Sequence, residues 1–302
     1  MIVDCHTHLF WYPDHLSEQF AAEGLASKLV KLERSGGAAY AGSLDLHSYD
    51  SRPEQHWAAT AGADRVVVFG LQARATGVWV PNDLIADYVS QHPEKLLGWA
   101  SVDPNAPDCL QELERCVNEL GLRGLKVGPA YQHFDPTDRK HFGLWQRCEE
   151  LGIPVIWHQG ATFPSTARLS ESNPLLLEDI VMSFPDLTMI VAHLGHPWEE
   201  DLVALMRKAP RLYADISAVH YRPWRYYSAM ITALEYGVTH KLLLGSDFPS
   251  ATIEDVILGL HAVDALTEGT SLVRVPEQVK YDIVHRNWEA VFPQWVEPDS
   301  QI

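Results

Sequence analysis

Short apolar runs recur along this chain at residues 1–3, 65–71, 96–102, 122–127, 154–158, 188–193, 212–216 and 242–246. They are rich in Val, Ile and Leu, often bounded by Gly or Pro, and largely apolar at consecutive positions. Continuous apolar character means that both faces of a strand are covered, as in a parallel sheet flanked by helices. Between the runs, residues 108–120, 142–151, 175–184, 199–208 and 253–265 carry apolar side chains at helical spacing. After the first gap the runs begin roughly 24 to 34 residues apart, enough for a strand, a helix and two loops. Eight such alternations predict one α/β domain over residues 1–302, a single parallel (β/α)8 barrel of the TIM type. A doubly wound open sheet is the competing architecture, but its Gly-rich phosphate turn is missing.

The first gap is longer than the others. Residues 10–50 hold a predicted helix over 16–33 and then a loose Gly-, Ala- and Ser-containing segment over 35–43. This insertion leaves the first strand at its C-terminal end, so it is expected to form a lid over the barrel mouth; a surface excursion on the barrel wall is the plainer alternative. Residues 276–292 read as one or two closing helices.

Polar residues able to bind a metal close several of the runs. His158 ends the run at 154–158, His193 ends the run at 188–193, and Asp247 follows the run at 242–246. Lys126 interrupts the run at 122–127, between Gly124 and Gly128. The C-terminal strand ends form the functional face of such a barrel. The first run leads into Asp4-Cys5-His6-Thr7-His8. Strand side chains alternate, so His6 and His8 share a face about 7 Å apart along the strand, well placed to serve one ion. Asp4 shares that face more deeply and reads as an anchor for a ligand histidine. Cys5 is expected to point the other way, toward the helices.

Composition narrows the classes. Hydrophobic residues make up 46% and charged residues 21%, which supports a large core and speaks against disorder. A net charge of −17 argues against a nucleic-acid partner. The first strand starts at residue 2 and no apolar run approaches membrane-spanning length, so neither a signal peptide nor a membrane segment is expected. Four scattered cysteines without a CxxC pair suit a reduced, cytoplasmic protein.

With these residues in place the chain resembles the amidohydrolase superfamily, and more narrowly its branch of metal-dependent hydrolases and aminocarboxymuconate-semialdehyde decarboxylase-like enzymes. The stretches that carry the resemblance are DCHTH, GLRGLKVGP, VIWHQG, VAHLGHPW, YADISA, LLGSDFP and IVHRNWEAVF, in family order along nearly the whole chain. The resemblance implies that His6, His8, His158 and Asp247 bind one divalent metal, Zn²⁺ first and Mn²⁺ second. It implies that Asp247 also moves a proton, and that His193 acts as general base or polarises the substrate. It also implies a homodimer. Lys126 matches the strand-four position where some barrel relatives carry a carboxylated lysine bridging two metals; contact with a substrate carboxylate is the preferred role here. His196, three residues beyond His193, is expected to orient the neighbouring helix rather than bind metal.

The loops expected at the mouth carry Arg74, Arg168, Arg222 and Arg225, with Trp11, Tyr12 and Trp198 among their aromatics. Arginine pairs bidentately with carboxylate, so these residues point to a small anionic, cyclic or aromatic substrate. Each one singly is also explained by surface pairing or loop packing. Two reactions use the same ligands. One is hydrolysis of a lactone, ester or amide by metal-activated water, taken first. The other is non-oxidative decarboxylation of an aromatic or muconate-type acid. A non-catalytic metal- or ligand-binding protein is a third, remote reading.

Overall fold

A computed structural model describes residues 1–34 and 44–296; the segment 35–43 lies outside the described residues. Eight parallel strands form the predicted barrel: β1 Val3–His8, β2 Arg65–Phe69, β3 Leu96–Ser101, β4 Leu125–Val127, β5 Val155–Trp157, β6 Met189–Val191, β7 Leu212–Asp215 and β8 Leu242–Leu243. Each pairs with the next in chain order. The ring is drawn together between its ends by backbone bonds, Cys5 N to Leu244 O at 3.0 Å, Asp247 N to His6 O at 2.8 Å and His8 N to Phe248 O at 2.9 Å. Those bonds bring Asp247 against the His6–His8 segment. A two-stranded ribbon not expected from the pattern, Gln72–Ala73 with Val78–Trp79, follows β2.

The consecutive apolar residues of the strands serve two cores. In β2, Val66 and Val68 belong to the layer between strands and helices, whereas Val67 and Phe69 point inward with Trp99, Ile156, Ile190 and Leu243. The helix Cys109–Asn118 turns Leu113, Cys116 and Val117 onto the outer layer, as its spacing predicts. The tail forms the helix Glu277–His285 and the short turn Asn287–Ala290. It adds Trp288, Val291 and Phe292 to the inner core, and Asn287 Nδ2 donates to Thr239 O and Leu242 O.

One expectation is corrected. Cys5 packs in the inner core, not toward the helices. The register of β1 against β2 shifts between Asp4 and Thr7, and an irregularity of that kind breaks strict alternation. The cysteines are all free.

Beneath the mouth, Thr7 Oγ1 donates to Val67 O at 2.6 Å and accepts from His56 Nε2 at 2.8 Å, while His56 Nδ1 meets the Tyr88 hydroxyl at 2.9 Å. Burial pushes the His56 pKa down to about 3 from 6.5, with Lys95 and His8 adding to the effect. In the unfolded chain this imidazole takes a proton below about pH 6.5, whereas the folded one refuses it until about pH 3. Its contribution therefore destabilises the fold as pH falls, by about 1.4 kcal/mol per pH unit. Urea unfolding between about pH 7.5 and 5 is expected to show this slope. His56→Gln should reduce it by about one proton; an unchanged slope would remove His56 from the account.

Among the described residues, no helix is long and apolar enough to cross a membrane.

Candidate active site

Four side chains from three strand ends, His6 and His8 of β1, His193 after β6 and Asp247 after β8, meet at the mouth. His6 Nε2 lies 3.2 Å from His8 Nε2, and each lies close to Asp247 Oδ1, at 3.4 and 3.3 Å. The potential ligand atoms of His6, His193 and Asp247 all lie within 4.8 Å of one another. The His158 ring stands 4.9 Å from that of His193, and its Nε2 lies 3.2 Å from Ala161 O. The structure thus brings His6, His8, His193 and Asp247 together, with His158 flanking them.

The protons in this cluster can be assigned from its partners. His6 Nδ1 donates to Asp215 Oδ2 at 2.8 Å. Burial would raise the Asp215 carboxyl, but the charge and hydrogen bond of His6 outweigh it, and the group lies well below the usual carboxylate range. Asp215 is therefore the acceptor, and His6 must present a bare lone pair at Nε2. That lone pair faces the Asp247 oxygen. Asp247 is also anionic: burial would raise it, but His193, His8 and His6 together hold it well below its ordinary value. A lone pair and a carboxylate oxygen set 3.4 Å apart in a buried site repel unless a cation lies between them. His8 Nδ1 is buried with no hydrogen-bond partner. This donor set of imidazole nitrogen and carboxylate oxygen suits a divalent metal ion.

The turn after β6 holds His193 in an unusual backbone state. His193 and Leu194 have φ of 57° and 53°, and Asp247 has φ of 58°. Left-handed conformations in non-glycine residues are sparsely populated and persist only where the surroundings fix them. Asp215 supplies part of that fixation by accepting from His193 N at 3.1 Å. Ser217 N donates to the same oxygen, as does Ser217 Oγ. Since the Ser217 proton is spent on Asp215, its oxygen accepts from His193 Nδ1 at 2.7 Å. His193 Nε2 is left as an open base. Burial brings the pKa of His193 down to about 4, against the pull of Asp247 and Asp215.

Lys126 stands at the floor of the site, with Nζ 3.4 Å from His6 Nε2 and 4.9 Å from the centre of the Phe69 ring. Burial lowers it to about 8, although Asp247 and Asp215 favour its charged form. Above the floor is a cavity of about 160 Å³ reached by His8, His158, His193, Asp247 and Lys126. Its walls are Phe10, Phe20, Tyr49, Tyr131, Phe163 and Tyr221. Phe10, Phe20 and Tyr49 come from the insertion 10–50.

Residues 3–294 match the family model described as amidohydrolase. The chain belongs to the amidohydrolase family. A gamma-resorcylate decarboxylase of Rhizobium radiobacter is 31% identical over 103 residues, 32% of this chain and 32% of that one. The match thus spans about a third of that curated relative. A 2-keto-4-carboxy-3-hexenedioate hydratase of Sphingobium is 27% identical over 241 residues, 70% of each chain. Among solved structures, a dihydroxybenzoic acid decarboxylase from Polaromonas, with bound manganese and the inhibitor 2-nitroresorcinol, aligns with a TM-score of 0.59 at 18% identity. That alignment covers 100% of this chain and 99% of that one, and at this identity it speaks for the fold alone.

The loop residues of this amidohydrolase divide differently from the sequence expectation. Arg222 and His196 line the cavity. Arg74, Arg168, Trp11, Tyr12 and Trp198 do not. Arg74 lies 3.6 Å from the centre of the Trp79 ring, and exposed Arg168 pairs with Glu171. Trp11 Nε1 donates to Asp14 at 2.6 Å, the Tyr12 ring lies beside His47, and Trp198 precedes the helix Glu199–Lys208. Nearby acids and rings engage these side chains locally, a competition that residue type alone does not reveal. His196 Nδ1 bonds to buried Glu199 at 2.7 Å, on the first turn of the helix it was expected to orient.

Asp4 anchors His6 through its backbone and not through its ring. Its Oδ1 accepts from His6 N at 3.2 Å and Ser246 N at 2.9 Å, so it ties the backbone of β1 to the segment that follows β8. The carboxylate that orients the His6 imidazole is Asp215, which the sequence reading missed. Its signal was present: Asp215 closes β7 just as His193 and Asp247 close their own runs. Ser217, Lys31, Phe20, Tyr49 and Tyr131 were also missed, and only Asp215 and Ser217 lie in a recognised motif.

Proposed function

We propose that this amidohydrolase is a metal-dependent, non-oxidative carboxy-lyase acting on a small hydroxylated aromatic or conjugated carboxylic acid. The observation that carries the reading is the cavity of about 160 Å³, aromatic-walled and floored by His8, His193 and Asp247. Apolar cavities of about 150 Å³ accept a benzene-sized guest. A flat conjugated ring fits that space, with its carboxylate toward the imidazoles. The relationship to a gamma-resorcylate decarboxylase supports loss of CO₂ in preference to the hydrolysis expected first from sequence.

His6, His8 and Asp247 would hold the ion, with His193 and His158 close beside them. When bound, zinc or manganese supplies Lewis acidity toward the substrate oxygens; manganese is present in the solved Polaromonas decarboxylase. Asp247 takes the proton of the substrate hydroxyl and passes it to the ring carbon that bears the carboxylate. A C–H bond forms, and the bond to the carboxylate then breaks. Its electron pair returns to the ring, and CO₂ leaves as a neutral molecule. His193 stands ready to exchange a proton at Nε2, and Lys126 offsets negative charge at the floor. Phe10, Phe20 and Tyr49, from the described part of the insertion, line the cavity and would keep water from the ring.

Addition of water is the second reading, favoured by the hydratase relative that matches 70% of the chain. There His193 Nε2 would accept a proton from the attacking water. Manganese- and zinc-supplemented protein, screened against hydroxybenzoates, muconate-type acids and lactones of dicarboxylic acids, separates the two. Release of CO₂ with one solvent deuteron entering the product at carbon is the expected result. Hydration or ring opening without CO₂ would overturn the carboxy-lyase reading in favour of the second.

A further inference from the structure

Two cations reach the cavity from the side of the barrel mouth. Lys31 belongs to the helix Glu18–Arg34 and Arg222 to the loop after β7; both line the same cavity as His8, His193 and Asp247. Lys31 Nζ lies 5.0 Å, and Arg222 Cζ 4.4 Å, from the centre of the Tyr221 ring. Two positive charges thus gather around one aromatic wall in a chain of net charge −17. Like charges so placed repel unless something anionic joins them.

Other charges of the mouth are already committed. Arg225 pairs with buried Glu199, and Lys28 Nζ donates to Ser48 O at 2.7 Å. Asp255 lines a groove that shares Lys31, Tyr221 and Arg222 with the cavity; its Oδ2 accepts from Thr252 N and Oγ1, and among the described residues it forms no ion pair with either cation. Among the described residues, Arg222 spends one side-chain bond on the protein, Nη1 to Ala218 O at 2.7 Å, and its remaining donors stay open. Ala218 is itself buried and left-handed, with φ of 55°. A conformation of that kind is held by its surroundings, so the carbonyl that anchors the guanidinium is fixed in place. The segment from Asp215 at the end of β7 through Ser217 and Ala218 therefore serves the histidines and also anchors the guanidinium of Arg222.

We propose that Lys31 and Arg222 bind a second acidic group of the substrate, so that this protein selects dicarboxylic acids over monocarboxylic ones. The inference rests on the proposed reading in one respect, that the first carboxylate lies toward the histidine and Asp247 end. Both cations line the same cavity of about 160 Å³ as His8, His193 and Asp247, so a ring bound there meets cations as well as the histidine cluster. Lys31 comes from the insertion, so the distal contact would also hold that helix over the bound ring. Charge-assisted contacts of this kind are worth about tenfold or more in affinity each.

Equilibrium binding tests this without any turnover. Benzoate and the three benzenedicarboxylates (phthalate, isophthalate and terephthalate) are titrated into the full-length protein by calorimetry, with and without manganese. At least one dicarboxylate is expected to bind about tenfold tighter than benzoate. Arg222→Gln and Lys31→Gln are each expected to erase most of that advantage while moving benzoate by less than about twofold. Added salt should weaken the dicarboxylate more than benzoate. Equal affinities in the unsubstituted protein, absence of binding by all four acids, or equal losses for benzoate and dicarboxylate in the variants would each overturn the inference. Failure of the carboxy-lyase reading appears elsewhere, as absent CO₂ release, and leaves this selectivity measurable.

Discussion

Asp247→Asn is expected to lower kcat/KM by about a thousandfold or more while leaving the fold in place. General acid–base groups contribute about 10²- to 10⁴-fold, and Asp247 would both face the ion and carry the transferred proton. The amide keeps an oxygen near His6 and His8 but loses the negative charge and the ability to pick up and pass on a proton. The backbone tolerates the change, because Asn is among the side chains most readily accepted at positive φ, and Asp247 sits at φ of 58°. Thermal unfolding within a few degrees of the unsubstituted protein, alongside lost turnover, is the predicted pair of results. Comparable turnover would remove Asp247 from the mechanism. Lost turnover with gross unfolding would assign it a structural role instead.

The barrel was legible because its strands are covered on both sides. Runs such as Val66-Val67-Val68-Phe69 cannot alternate with polar positions when one face meets helices and the other meets Trp99 and Ile156. The residues brought together at the mouth were legible for a related reason, since His193 and Asp247 are polar residues that close apolar runs. Position along a strand can be read from local pattern; partner choice cannot. Arg74 and Arg222 are both loop arginines by sequence, yet Arg74 stacks on Trp79 and Arg222 reaches the cavity. A long, flexible cation settles on whatever ring or carboxylate the fold brings near it. Cys5 shows the limit within a strand: one register shift in β1 sends it inward. Lys31 and Phe20 lie on a helix whose own sequence pattern does not announce which side will face the histidines.

Asp215→Asn is expected to lower metal affinity by about 10- to 100-fold, the usual cost of losing a carboxylate behind a ligand histidine. The carboxylate accepts four hydrogen bonds, from His6 Nδ1, His193 N, Ser217 N and Ser217 Oγ. An amide oriented to keep the three bonds at Oδ1 must place its NH₂ group where Oδ2 meets His6. His6 Nδ1 would then have to accept, moving its proton to Nε2 and into the space between His6, His8 and Asp247 where the ion would sit. Stability should change as well. The folded Asp215 carboxyl lies far below its ordinary 3.8, so its stabilisation is fully present above about pH 4 and is lost as pH falls through the folded value. The variant lacks that contribution, and the gap at neutral pH is expected to be about 1.5–3 kcal/mol, typical of a hydrogen bond to a charged group. It should stay level from about pH 8 to 5 and narrow only below about 4. Calorimetric titration with manganese or zinc and urea unfolding across that range check the two halves separately. Unchanged metal affinity would show that Asp215 does not set the His6 tautomer. A stability gap that widens toward acid pH would contradict the charge assigned to Asp215.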